Sequence, residues 1–114
     1  MMFSTTDRWG RRIELTRECW RQHVLLRHGE LIDHVDSIQS TIERPDFVQY
    51  DARFSNRESF YALGIVKEFE AYYLKVSVEF SSEQFDSQIA GTVITAYISR
   101  NVKPGEELKW RRRA

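Results

Sequence analysis

A chain of 114 residues, 41% hydrophobic and 30% charged, has material for one hydrophobic core and is read as a single domain over residues 1–114. Its 17 basic and 17 acidic residues cancel, so no global positive field draws it to nucleic acid, and its one cysteine, Cys19, excludes an intramolecular disulfide and a thiolate zinc cluster. No apolar run is long enough for a signal peptide or a membrane span, so a cytoplasmic protein without a membrane partner is expected.

In chain order, Gly10 punctuates a short start, and residues 12–15 read as a brief strand. Thr16 is placed as a helix N-cap, with Glu18 in the first turn to complement the helix dipole. In the helix that follows, Cys19, Trp20, His23, Val24 and Leu26 fall in one stripe at 3.6-residue spacing, and this stripe is expected to face inward. Gly29 ends that helix. A second helix over 30–43 carries Leu31, Val35, Ile38 and Ile42 inward and Asp33 and Asp36 outward, and Pro45 closes it.

After Pro45 the period becomes two. Residues 46–51, 59–65, 72–80 and 92–100 read as strands, separated by the turn-prone RFSNRES, KEFEA and SSEQFDSQIAG, connections too short for crossover helices. Helices followed by strands predict an α+β domain, with N-terminal helices packed on an antiparallel sheet of four or five strands. The basic residues Arg8, Arg11 and Arg12 near the start, and Lys109, Arg111, Arg112 and Arg113 near the end, read as solvated ends of the chain, with a local basic patch as the alternative.

Two strands split cleanly by face. Tyr72, Leu74, Val76, Val78 and Phe80 oppose Tyr73, Lys75, Ser77 and Glu79, while in GTVITAYISR Ile94, Ala96 and Ile98 oppose Thr95, Tyr97 and Ser99. Paired as a hairpin, they bring Tyr73, Lys75, Ser77, Thr95, Tyr97 and Ser99 onto one face. That face is either a solvated surface or the floor of a site, and its phenols, ammonium and hydroxyls are donors suited to phosphate oxygens and flat bases.

The histidines are the other candidates for chemistry. His23, within the apolar stripe, is either a hydrogen-bonded core residue or an acid/base group, His28 stands at the helix end, and His34 lies on the polar side of the second helix. His23 and His28 are too far apart in sequence for a recognised metal spacing, and no HExxH motif is present, so no metal is expected. Nor is there a phosphate-binding GxxxxGK[ST], a GxGxxG or a GxSxG motif, and no cofactor is expected. Cys19 and the tryptophans Trp9, Trp20 and Trp110 read as packing residues.

The stretches LTRECWRQHVLLRH, TIERPD and VITAY, with DRWGRR before and KPGEELKW after, resemble the small phage-associated nuclease-like domains of the barnase, EndoU, colicin and RelE (BECR) superfamily over nearly the whole chain. Where such domains usually carry His-Pro-Glu, this chain has His28, Gly29 and Glu30. The resemblance implies a barnase/RelE-like fold and a metal-independent, toxin-like endoribonuclease, a hydrolase of RNA such as transfer or ribosome-associated RNA, with an antitoxin or immunity protein as partner. It implies His23 as base or acid with His28 as its partner, Thr95 and Tyr97 on the scissile phosphate, and Arg57 with Tyr61 in charge stabilisation or stacking; Tyr73 and Lys75, from the shared strand face, are expected to join them in substrate binding. A catalytically inactive module of the same fold, binding RNA or a protein, is the alternative.

Overall fold

The computed structural model describes residues 1–81 and 90–113. A hairpin of β1 (Phe3–Thr6) and β2 (Arg12–Leu15) leads into α1 (Arg17–Cys19), which continues directly as a π-helical stretch (Trp20–Leu25). A 3-10 turn (Gly29–Leu31) and α2 (Val35–Glu43) follow, then β3 (Phe47–Tyr50), β4 (Arg57–Leu63), a 3-10 turn (Lys67–Phe69), β5 (Tyr73–Ser81), β6 (Ala90–Ser99) and β7 (Leu108–Arg111). Among the described residues, seven strands join one sheet in the order β1-β2-β6-β5-β4-β3-β7. Every neighbouring pair is antiparallel except β2 with β6, which is parallel.

The architecture is α+β, with more strand than the sequence pattern indicates. The additional strands, β1 and β7, are four-residue edges rich in polar side chains, FSTT and LKWR, too short and too weakly alternating to register as a period. The parallel pairing of Ile13 with Gly91 leaves no local trace either, because its partners lie near opposite ends of the chain. The turn SSEQFDSQIAG falls mostly outside the described residues.

Helix α1 starts as its sequence indicates: Thr16 Oγ1 accepts from the Cys19 amide at 3.1 Å. The stripe then changes. The hydrogen bonds of the π-helical stretch run i→i+5 and widen its turn beyond 3.6 residues, and Cys19, Trp20 and Val24 are buried while His23, and Leu26 just past its end, face outward. The inward placement expected for those two residues from a 3.6-residue period is thereby corrected. The stretch 30–43 also divides. Its first turn is 3-10 and α2 begins after His34, yet Leu31, Ile38 and Ile42 are fully buried against the sheet as their spacing indicates.

The charged ends are not merely solvated. In the β1–β2 loop, where Gly10 takes a left-handed φ of 78°, Asp7 accepts from the Trp9 and Arg11 amides and from Arg11 Nε at 2.8 Å. Arg11 then reaches both oxygens of Glu58 on β4 at 2.8 Å, and Lys109 of β7 reaches the same two oxygens at 3.0 and 2.9 Å. Trp9 meets Trp110 edge to face with centroids 6.3 Å apart, and the Arg8 guanidinium lies 3.8 Å over the Trp110 ring. The first loop and last strand are thus cross-braced through one carboxylate.

The β5–β6 register carries a bulge. Tyr73 faces Ser99, Lys75 faces Tyr97 and Ser77 faces Thr95, but Val78 then faces Val93, leaving Ile94 as the extra residue. Val93, not Ile94, therefore joins Ala96 in the core, and Ile94 is only half-buried. The hydroxyl-bearing row keeps the face its alternation indicates.

Candidate functional site

Directly opposed residues in a sheet share a face, and the pairings define one row across five strands: Tyr97 opposite Lys75, Lys75 opposite Tyr61, Tyr61 opposite Phe47, Phe47 opposite Arg111. Four inter-strand steps make this row about 19 Å long. It lies on the face away from the buried residues Val76 and Ala96, and chemistry-bearing side chains stand all along it.

His28 completes the row at one end. Carried past α1 on a short turn, its imidazole stacks on Tyr97, with centroids 5.3 Å apart and planes 27° from parallel. Its Nδ1 lies 3.7 Å from Glu30 Oε1. Gly29 opens the following 3-10 turn, and a side chain there would project into open space, so glycine is not sterically demanded at that position. The Lys75 ammonium sits 5.7 Å from the Tyr97 centroid and 5.5 Å from that of Tyr61. Tyr61 stacks on Phe47 at 4.6 Å, and Tyr73 packs its edge against both at 5.9 and 5.5 Å.

Part of this face is roofed. The segment joining β6 to β7 lays Glu106 over the sheet, where its fully buried carboxylate accepts from Tyr61 Oη at 3.0 Å and Ser59 Oγ at 3.4 Å and lies 3.7 Å from Lys75 Nζ. Lys75 is only 4% exposed as a result, and its burial is balanced by this pairing. Burial, reinforced by the negative charge of Glu106, pushes the Tyr61 phenol well up, so Tyr61 is a neutral hydrogen-bond donor and not a base. Glu106 had no sequence signal beyond the Pro-Gly turn before it, since loop residues have no period to mark their direction.

The remaining candidates lie elsewhere. His23 and Arg57 line a separate cleft of about 410 Å³ with Glu18, Thr92 and Ile94, and neither His28 nor Tyr97 contributes to it. Arg57 Nε bonds Glu79 Oε2 at 2.9 Å, and its guanidinium lies 4.0 Å over Phe54. Thr95 stands on the Tyr97 face opposite Ser77, and both are half-buried. At the back of the cleft the Cys19 thiol donates to the Val93 carbonyl at 3.0 Å, and burial pushes its pKa up, which suits a packing residue. The structure thus gathers His28, Tyr97, Lys75, Tyr61 and Tyr73, and pairs His23 with Arg57 apart from them.

Among the described residues, no group of three or more His, Cys, Asp or Glu side chains is placed to hold a metal ion, and no helix is long and apolar enough to cross a membrane. Comparison with protein-family models, curated proteins and solved structures finds no significant match to the chain.

Proposed function

We propose that this protein is a metal-independent endoribonuclease of the barnase/RelE-like type, toxin-like in use, whose centre is the junction of His28, Tyr97 and Lys75. The observation that carries the reading is the His28 imidazole stacked on Tyr97 beside a lysine, an acid/base group and a cation on one sheet face. The motifs LTxExWxxHxxxxH, TIxxPD and VITAY support it by resemblance. In this mechanism His28 takes the proton of a ribose 2′-hydroxyl, whose oxygen attacks the adjacent phosphorus. The bond from phosphorus to the 5′-oxygen breaks, and the Tyr97 phenol protonates the leaving oxygen. The His28 imidazolium then returns a proton to Tyr97. Thr95 donates to the phosphate, and Lys75 offsets the charge that develops on its oxygens. His23 and Arg57, in their own cleft, act on a flanking part of the RNA.

Transfer RNA or ribosome-associated RNA is the substrate class, and a neutralising antitoxin-like protein that covers the sheet face is the partner. A second reading, a catalytically inactive module binding RNA or protein, is favoured by one observation: Glu106 already occupies the donors of Lys75, Tyr61 and Ser59.

The test is incubation of the protein with total RNA and with transfer RNA in chelator, beside His28→Ala, Tyr97→Phe and His23→Ala. Discrete cleavage by wild type is expected, falling by about 10²-fold or more in His28→Ala and less in the other two. Intact RNA after incubation with folded wild type would favour the binding module.

A further inference from the structure

At the end opposite His28, the cross-strand row opens into a pocket of about 520 Å³ between the C-terminus of α2 and β7. Three arginines line it, Arg44, Arg111 and Arg112, against one acidic residue, Asp46. Asp46 is already engaged. Its Oδ1 accepts from Arg112 at 2.7 Å and its Oδ2 from the Leu63 amide at 2.6 Å, so both oxygens already have a partner and neither partner is Arg44 or Arg111. Arg44 and Arg111 are exposed and form no ion pair among the described residues. One wall of the same pocket is aromatic, made by Phe47 and Tyr73, and Phe47 stands directly opposite Arg111 in the β3–β7 register.

Planar guanidinium forks match phosphate oxygens two at a time, and aromatic rings take the face of any base. The volume lies within the range of ordinary small-ligand pockets. An acidic peptide would use the arginines but leave the aromatic wall idle, whereas a nucleotide uses both. Resting on the ribonuclease reading above, we propose that this pocket is a subsite for a nucleotide of single-stranded RNA flanking the cleaved bond, with its phosphate on Arg44 and Arg111 and its base against Phe47 and Tyr73. The pocket's far wall at Arg111 lies about 19 Å along the row from Tyr97, while Tyr73 stands only one strand over from it, so the nucleotide the pocket holds follows directly along the sheet from the one that reacts. Both contacts ignore base identity, so the subsite sets the length of RNA required and not its sequence.

The test uses the full chain and a fluorescent octanucleotide with 2′-O-methyl riboses, which cannot be cleaved through the 2′-hydroxyl, with binding read by anisotropy over a range of salt. Wild type, the double variant Arg44→Ala/Arg111→Ala, Tyr73→Ala and His28→Ala are compared, with a urea unfolding midpoint for each. The double variant should bind at least about 10-fold more weakly at low salt, with the slope of log affinity against log salt shallower by about 1.4, the value for two lost phosphate contacts on a single strand. Tyr73→Ala should lose about 10-fold at all salt concentrations. Unchanged affinity and slope in a folded double variant that still cuts RNA would overturn the subsite and leave the ribonuclease reading standing. Wild type that neither binds nor cuts RNA would overturn both. If adenosine monophosphate alone binds as tightly as the octanucleotide, with the same dependence on Arg44 and Arg111, the pocket serves a free nucleotide and the RNA assignment fails.

Discussion

Glu58 lies on the buried side of β4, opposite Val78, where a carboxylate is tolerated only with partners. Burial pushes its pKa up, but the hydrogen bonds and charges of Arg11 and Lys109 outweigh that and hold it below the usual value of 4.5. Glu43, bonded by the Thr5 hydroxyl and the Gln39 amide, is held low as well. A carboxylate with a depressed folded-state pKa contributes stability that is fully present above its unfolded value and is lost as pH falls through the folded one. Stability should therefore decline as pH drops below about 4.5. Glu58→Gln should lose about 3 kcal/mol at pH 7, because two cations are left facing a neutral amide, and should show a weaker acid decline than wild type. Urea midpoints at pH 7 and pH 4 check both, and an acid limb of equal depth in the variant would assign the decline to other carboxylates. None of this was legible one residue at a time. Arg11 and Lys109 read as solvated ends of the chain and Glu58 had no signal of its own, and only the folding of the first loop and of β7, docked on β3, brings both cations to Glu58 on β4.

At the scale of elements, alternation carried most of the information. The faces of β5 and β6 follow from period two alone, and with them the side-by-side placement of Tyr73, Lys75, Tyr97 and Thr95. Where the backbone departs from its regular period, the sequence pattern misleads: the π-helical turn swings His23 outward, and the bulge at Ile94 substitutes Val93 in the core. Both departures insert a residue relative to the regular repeat, a change that composition does not reveal. Gly91 shows how tightly β6 is seated. A methyl group there would lie 2.7 Å from Phe80 Cε1 and 2.8 Å from Val78 Cγ1, so the strand can pass beneath Phe80 only as glycine. Gly91→Ala should cost about 1–3 kcal/mol by overpacking, seen as a lower urea midpoint with an unchanged m-value.

For the whole molecule, β7 is both a sheet edge and a clamp. It covers the outer edge of β3, brings Trp110 against the core and supplies one of the two cations on Glu58. A chain ended before Leu108 should lose several kcal/mol and associate through the uncovered β3 edge, measurable as a lower unfolding midpoint and a concentration-dependent mass in size-exclusion chromatography. A variant that stays monomeric and equally stable would show that β7 is dispensable. The fold class was legible because, after the short β1–β2 hairpin, the helical segments come before an unbroken run of strands. The sheet order was not, because it is set by pairings between distant segments.

That order also has a kinetic consequence. The loop closed by pairing β2 with β6 is among the longest the chain can form, and its entropic cost falls before the contacts that compensate it are made, so refolding should take milliseconds to seconds rather than microseconds. His28 follows β2 and α1 along the chain, whereas Tyr97 belongs to β6. The two rings therefore meet only after this slow docking, and a partly folded chain that has already zipped β4, β5 and β6 together would present Tyr97 and Lys75 on the sheet without the His28 imidazole.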